Sequence, residues 1–260
     1  MPRPGMVAAI LLALLAAIAR AQPGPSPPPP PPPGPNAALN HAIELYNQKD
    51  YAAALPVFRQ VADTGNVEAY LYLGVIFGTG QGVPADYDEA MTWFRKAAYI
   101  GEPQAMCNIG SLYFQGLGVD RDYAQALNWF QRSALLGNGQ ATFNMGVLYR
   151  DGLGVPVDYE SAITWFRKAA NQGNDFAMNS VGVLYWKGQG VPADLTQALR
   201  WFHQAANAGN DAAMYNIGLF NENGTGVPAN HDEAIAWYRK AAAAGNAEAK
   251  ASLERLGVKN

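Results

Sequence analysis

The chain has almost none of the residues from which covalent cross-links and metal sites are made. It contains one cysteine and three histidines in 260 residues. Because a disulfide needs two thiols, Cys107 cannot form one within the chain, even in an oxidising compartment. The histidines, His41, His203 and His231, stand at unrelated places, so no metal-ligand spacing appears. The sequence predicts no metal site and no cofactor.

Catalytic motifs are missing as well. Neither Ser-x-x-Lys nor the Gly-x-Ser-x-Gly nucleophile elbow occurs anywhere in the chain. The acidic residues stand mainly where helices are predicted to begin, and capping is sufficient to explain them there. Cys107 has no histidine near it in its segment, which favours a small inert side chain over a nucleophile. We predict no catalytic residue and no enzymatic activity.

Only one long apolar run occurs, at the start of the chain. It covers the thirteen residues from Val7 to Ala19 and follows Arg3. Thirteen residues are too few for a membrane-spanning helix, and Ala19-Arg20-Ala21 fits the small-x-small cleavage rule. The run predicts a signal peptide over residues 1–21, cleaved before Gln22, with a retained membrane anchor as the alternative. We therefore expect export, with no membrane span after cleavage, and favour the periplasm over the extracellular space.

A proline-rich segment follows the predicted signal. Residues 23–35 read PGPSPPPPPPPGP, a composition that forms only the extended, solvated polyproline II helix. We predict a disordered linker over residues 22–36 that acts as a semi-rigid spacer. The alternative is that this segment is itself the ligand of a proline-binding groove.

The charge of the mature chain limits its partners. Removing Arg3 and Arg20 from the 18 basic residues leaves 16 against 21 acidic ones, a net charge of −5. Charge of this sign, with no basic block, argues against nucleic acid and against anionic membrane as partners.

Repetition is what the chain has in abundance. A 36-residue period recurs five times without an insertion or a deletion. Tryptophan marks it at Trp93, Trp129, Trp165, Trp201 and Trp237, and an internal glycine marks it at Gly74, Gly110, Gly146, Gly182 and Gly218. A period of this length is typical of a solenoid, in which stacked units share one continuous core.

Each period has the pattern of two helices. In the first, Ala69, Leu73 and Ile76 form one apolar face, and the internal glycine costs about 1 kcal/mol relative to alanine. We expect close approach of a neighbouring helix to offset that cost. The second helix is predicted to begin after a capping Asp or Asn and to bury its Trp. On that placement, Trp165→Ala costs on the order of 3–5 kcal/mol.

The loop between the two helices has the pattern Gly-x-Gly-Val, as at Gly152 to Val155. A glycine-rich loop can cradle a phosphate, but that site needs a preceding strand, and here the flanking patterns are helical. We predict that these glycines supply positive φ between antiparallel helices.

The recurring pattern Ala-x-x-x-Leu-Gly-x-x-Tyr-x-x-Gly-x-Gly-Val-x-x-Asp-x-x-x-Ala-x-x-Trp-Phe-x-x-Ala-Ala-x-x-Gly resembles the Sel1-like repeat family of the tetratricopeptide superfamily. The resemblance implies an all-α fold, a right-handed superhelical solenoid of antiparallel helix pairs. It divides the chain into repeats at 66–101, 102–137, 138–173, 174–209 and 210–245. Residues 37–65 fit a shorter tetratricopeptide-like repeat, and residues 246–260 fit a C-terminal capping helix.

Positions that differ between the repeats carry the information about function. On the first helices they form one stripe opposite the Ala and Leu face, which by resemblance lines a concave groove. Aromatic and arginine side chains in a groove are typical interface anchors. We therefore predict a peptide-binding patch of Phe143, Arg150, Phe176, Asn179, Trp186 and Tyr215. The alternative is that some of these aromatics fill gaps between repeats, and that the recurrent asparagines beside them satisfy loop backbone groups.

Two functions follow from the resemblance. The favoured one is an exported, monomeric and non-enzymatic scaffold or adaptor that binds a partner segment in its groove, a role suited to envelope regulation or complex assembly. The other is a secreted β-lactam-binding or β-lactamase-like protein. The family members described in that way carry paired cysteines in each repeat, whereas this chain has a single cysteine.

Overall fold

The computed structural model describes residues 37–258, and these residues form thirteen helices with no strand among them. The predicted signal peptide (1–21) and proline-rich linker (22–36) lie outside the described residues. The chain divides into two compact units, the first ending at Asn138 and the second beginning at Gly139. Among residues 37–258, no helix combines the length and the apolarity that crossing a bilayer requires.

The first unit contains three helix pairs. Its helices are α1 (Ala37–Asn47), α2 (Tyr51–Ala62), α3 (Val67–Thr79), α4 (Tyr87–Tyr99), α5 (Pro103–Gln115) and α6 (Tyr123–Leu135). Each helix packs against the next one in the chain, and the short loops make successive helices antiparallel neighbours. One apolar cluster runs from Leu39 on α1 to Leu112 on α5, so the pairs share a continuous core.

The second unit contains three further pairs and a final single helix. Its helices are α7 (Gly139–Asp151), α8 (Tyr159–Asn171), α9 (Asp175–Lys187), α10 (Leu195–Asn207), α11 (Asp211–Asn223), α12 (His231–Ala243) and α13 (Ala247–Arg255). Helices again pack in chain order. The predicted fold class, an all-α solenoid of antiparallel helix pairs, is confirmed in each unit.

The helix boundaries follow from local hydrogen bonding. The carboxylate of Asp158 accepts a hydrogen bond from the Ser161 amide at 3.0 Å and so caps α8. Asn174 caps α9 in the same way through the Ala177 amide at 2.8 Å. Such caps satisfy amides that have no partner inside the helix. At the other end, α9 stops at Gly188, whose φ of 65° is left-handed, as a helix-ending glycine requires.

The internal glycines face an aromatic ring of the paired helix. A Cβ atom added at Gly146 would lie less than 3.0 Å from the ring of Phe166, and the same relation holds between Gly182 and Phe202. The expected close approach is therefore confirmed. The neighbour that needs the space is a ring on the second helix of the same repeat.

Burial of the tryptophans was predicted, and that prediction is wrong for four of the five. Only Trp93 is buried, at 9% exposure, while Trp165 and the other three are half-buried. The residue after each of these five tryptophans is buried, as Phe166 is at 0% exposure. A helix turns about 100° per residue, so Phe166 points into the core and Trp165 lies at its margin.

Candidate functional site

Three residues of the predicted patch lie on one face of α9. Phe176, Asn179 and Trp186 are separated by three and seven residues, a spacing that places them on the same side of a helix. Val183, between Asn179 and Trp186, shares this face, although sequence analysis passed over it because valine gives no chemical signal. From Phe176 to Trp186 the face is about 15 Å long, at 1.5 Å of rise per residue.

Phe143 forms the buried base of this surface. Its ring centroid lies 5.5 Å from that of Phe166 and 6.3 Å from that of Phe176. Phe143 is only 8% exposed, whereas Phe176 is 39% exposed. Phe143 therefore fills a gap between helices, as the alternative expectation held for some of the aromatics, and Phe176 is the ring exposed to solvent.

Asn179 belongs to a row of side-chain amides on the first helices. Its Oδ1 accepts a hydrogen bond from Asn216 Nδ2 on α11 at 3.0 Å. On α7, Gln140 Nε2 donates to Asn144 Oδ1 at 3.1 Å. In these contacts the recurrent asparagines bond to neighbouring side chains, not to loop backbone groups as the alternative expectation had it.

One side-chain amide group in this row has no hydrogen-bond acceptor among the described residues. Asn144 is 3% exposed, and its Nδ2 has no hydrogen-bond acceptor among the described residues. An unsatisfied buried donor costs about 1–3 kcal/mol. The side chain of Asn144 is one residue from Phe143, so an unused donor lies at the margin of the predicted patch.

Arg150 forms an ion pair with the next residue, Asp151, at the C-terminal end of α7. Its Nε and Nη2 donate to the two carboxylate oxygens of Asp151, both at 2.7 Å, and its guanidinium lies 5.8 Å from the Phe166 ring centroid. Asp151 was missed by the sequence analysis, because it lies outside the repeating stripe. The pair neutralises the charge that made Arg150 attractive as an anchor.

Trp186 and Tyr215 are half-buried and lean on the core. The Trp186 ring packs edge-on against Phe220 at 5.3 Å, and the Tyr215 ring lies 5.6 Å from that of Tyr238. The structure thus brings Phe143 and Phe176 into contact and aligns Trp186 with Phe176 on α9. Arg150 on α7 and Tyr215 on α11 make no ring or hydrogen-bond contact with Phe176; their contacts are with Asp151 and Phe166, and with Tyr238.

Candidate reactive groups lie elsewhere or are masked by burial. Cys107 on α5 is fully buried, and burial raises the pKa of its thiol to about 12. A thiol with that pKa stays protonated at neutral pH and is a poor nucleophile. Among residues 37–258, no three side chains of the metal-binding types cluster. The groups that the α9 face presents are aromatic rings and neutral amides.

Repeated helix pairs with invariant packing positions and one varying face define the class of helical repeat proteins. Within that class, the family model described as Sel1 repeat matches residues 67–102, 103–138, 139–174, 175–210 and 211–246. Each match begins one residue after the repeat boundary expected from the sequence. The chain belongs to the Sel1 repeat family, whose members are generally protein-interaction scaffolds.

Solved structures agree with this assignment. A Sel1 repeat protein from Oxalobacter formigenes is 33% identical with a TM-score of 0.79, and the match covers 85% of this chain and 93% of that one. A protective antigen present in uropathogenic Escherichia coli strains, which displays an SLR fold, is 32% identical with a TM-score of 0.72. That match covers 85% of this chain and 48% of the antigen. A comparison with curated proteins finds no match.

Proposed function

We propose that this protein is a non-enzymatic interaction scaffold whose α9 face binds an extended segment of a partner protein. The observation that carries the proposal is the exposure of Phe176, which keeps 39% of its surface in solvent while it contacts the buried ring of Phe143. Because the Phe176 ring packs on Phe143 on one side and is exposed to solvent on the other, it is already ordered before binding. Its side chain therefore loses little conformational entropy when a partner binds.

The face suggests what the bound segment looks like. About 15 Å of helix matches four to five residues of an extended chain at about 3.3 Å each. Phe176 and Trp186, at its two ends, would take apolar side chains. The amides of Asn179 and Asn216 lie between them and can exchange hydrogen bonds with a main chain, because each keeps donor or acceptor capacity beyond the bond they share. We propose an extended segment with apolar side chains at its two ends.

We propose that the protein is exported to the periplasm as a monomer, where envelope regulation or complex assembly would suit such a scaffold. Nothing observed favours the β-lactam alternative: the single cysteine cannot form the paired cross-links, and Cys107 is buried. It is therefore not proposed.

Site-specific photocrosslinking in the host tests the proposal. A photoreactive amino acid at position 176 is compared with the same amino acid at Asn171, an exposed position at the end of α8. Mass spectrometry of the products identifies the partner peptide. We expect one partner segment, with apolar residues at its ends, to crosslink at 176 and not at 171. Equal yields of the same products at both positions would contradict a binding face on α9.

A further inference from the structure

The first unit exposes apolar side chains that its fold does not use. Tyr99 is 94% exposed, Ile100 57%, Leu135 71% and Leu136 55%. Tyr99 and Ile100 lie at the C-terminal end of α4, and Leu135 and Leu136 lie at the C-terminal end of α6. The two apolar pairs occupy equivalent positions, 36 residues apart, at the ends of the second helices of successive repeats. We call these four residues the apolar edge.

The other repeats serve as an internal control for this edge. One repeat earlier, the same two positions hold Asp63 and Thr64. In the later repeats they hold Asn171 and Gln172, Asn207 and Ala208, and Ala243 and Ala244. The helix ends form equally well in all of these copies. Packing therefore does not require large apolar residues at positions 99, 100, 135 and 136, and an exposed apolar cluster without a structural role indicates a binding surface.

Three cations stand beside the apolar edge. Lys96 lies over the Trp93 ring at 3.8 Å, and Arg132 lies over the Trp129 ring at 4.7 Å. Arg95 donates only to the Tyr113 hydroxyl, at 3.4 Å. The ion pairs found among residues 37–258 include none of these three side chains. The chain is acidic as a whole, so this edge is a local region of unpaired positive charge.

An acidic residue in the following turn forms no ion pair with any of these cations. Glu102 follows the Ile100 turn, but its Oε1 accepts the Gln104 amide at 3.1 Å and caps α5. An open depression of about 570 Å³ at the end of α4 is lined by Tyr70, Thr92, Arg95, Lys96, Tyr99 and Ile100. It combines two aromatic walls with two cationic groups, which suits a protruding carboxylate or an acidic side chain with an apolar neighbour.

We propose that the apolar edge and this depression bind an acidic, amphipathic segment of a partner protein, at a surface separate from the α9 face. Apolar side chains of the segment cover Tyr99, Ile100, Leu135 and Leu136, and a carboxylate enters the depression between Arg95 and Lys96. A second copy of the chain is disfavoured, because the same three cations would face each other across the contact. A lipid surface is disfavoured, because it offers no single side chain that fills a depression.

Titration of the full chain with defined probes tests this proposal. The first probe is a 14-residue amphipathic helical peptide with leucines on one face and glutamates beside them. The second has lysine in place of each glutamate, and the third is a vesicle of phosphatidylglycerol and phosphatidylcholine. The edge variant Tyr99→Asn, Ile100→Gln, Leu135→Asn, Leu136→Ala carries residues that other repeats hold at these positions. The charge variant is Arg95→Gln, Lys96→Gln, and Phe176→Ala is the control on the other surface.

We expect the acidic peptide to bind at least tenfold more tightly than the lysine peptide, and more weakly as salt rises. Both the edge variant and the charge variant should lose at least tenfold in affinity with melting temperatures close to wild type, and Phe176→Ala should lose none. Equal affinity for the two peptides, or undiminished binding by the edge variant, would overturn the proposal. Vesicle binding that the edge variant abolishes, without binding of the acidic peptide, would assign the edge to a lipid surface. If only Phe176→Ala lost affinity for the acidic peptide, the peptide would bind at the α9 face and the proposal for the apolar edge would be wrong.

Discussion

The ring of Phe94 occupies the space that a Cβ atom at Gly74 would need. One turn later in the same helix, a Cβ at Gly78 would meet only the Ala90 Cβ, at an ordinary 3.6 Å. The same substitution at the two glycines should therefore have opposite effects. Gly74→Ala should destabilise the first unit by about 1–3 kcal/mol through overpacking. Gly78→Ala should stabilise it by up to about 1 kcal/mol through helix propensity.

Urea unfolding midpoints of the two variants measure this difference. The midpoint is the safer quantity, because repeat proteins need not unfold in a single step. Two variants with equal midpoints would mean that Phe94 moves aside without cost and that the glycine does not serve close packing.

Adjacent aromatics in α8 should contribute unequally to stability. Phe166 is 0% exposed and faces Gly146, so Phe166→Ala should cost about 3–5 kcal/mol. Trp165 is half-buried, with the Lys168 ammonium 5.1 Å from its ring. Trp165→Ala should cost about 1–2 kcal/mol, less than the sequence alone predicted, because less apolar area returns to water. Thermal unfolding of both variants gives the order, and a larger loss for Trp165→Ala would reverse the placement of the two rings.

A hydrogen-bonded cluster connects the last helix, α13, to α11 and α12 within the second unit. Tyr238 donates its hydroxyl to Glu222 at 2.6 Å, and Arg255 on α13 donates to the same carboxylate at 2.8 Å. Burial acts to raise the pKa of Glu222, but the bonds from Tyr238 and Arg255 and the charge of Arg255 outweigh it and lower that pKa. The stability from Glu222 is therefore present above the ordinary glutamate pKa of about 4.3 and is lost as pH falls through the lower folded value.

Melting temperatures of wild type and Glu222→Gln between pH 7 and pH 3 check this linkage. Wild type should melt higher at pH 7, and the gap should shrink as the solution becomes more acidic. Tyr238→Phe, which restores the residue of the other repeats, should start its loss at higher pH, because the carboxylate keeps one donor fewer. A gap that stays constant over this range would show that the cluster does not hold α13 through its charge.

Cys107 offers a probe of opening in the first unit. Its side chain is 0% exposed, and burial raises its pKa to about 12. A thiol reagent at pH 8 should therefore react with the native protein at least a hundredfold more slowly than with the protein in denaturant. Rapid labelling of native protein would mean that α5 is not packed as described.

The repeat pattern predicted most of the scaffold because scaffold residues recur. Gly146 and Asp158 have equivalents in other copies, and repetition separates a packing or capping role from chance. Burial of Trp165 could not be predicted in the same way. Tryptophan and phenylalanine are adjacent and equally repeated, and only the rotation of α8 against α7 decides which one faces the core.

The patch was harder to predict because its residues do not recur. Sequence pattern places Phe176, Asn179 and Trp186 on one helix face, and the structure agrees on that geometry. The sequence pattern could not reveal that Asp151 pairs with Arg150 or that Phe143 is buried, because those contacts depend on rotamers and on neighbouring helices. Exposure, which separates Phe176 from Phe143, is a property of packing and not of residue type.

The measurement that tests the central claim most directly is the affinity of the partner segment for wild type and for Phe176→Ala. The segment is the peptide identified by crosslinking at position 176, made synthetically, and Val157→Ala, at an exposed loop position of the same unit, is the matched control. A binding face on α9 predicts at least a tenfold loss for Phe176→Ala, measured at a temperature where that variant remains folded, with Val157→Ala binding as wild type does. Equal affinity of all three proteins would contradict it.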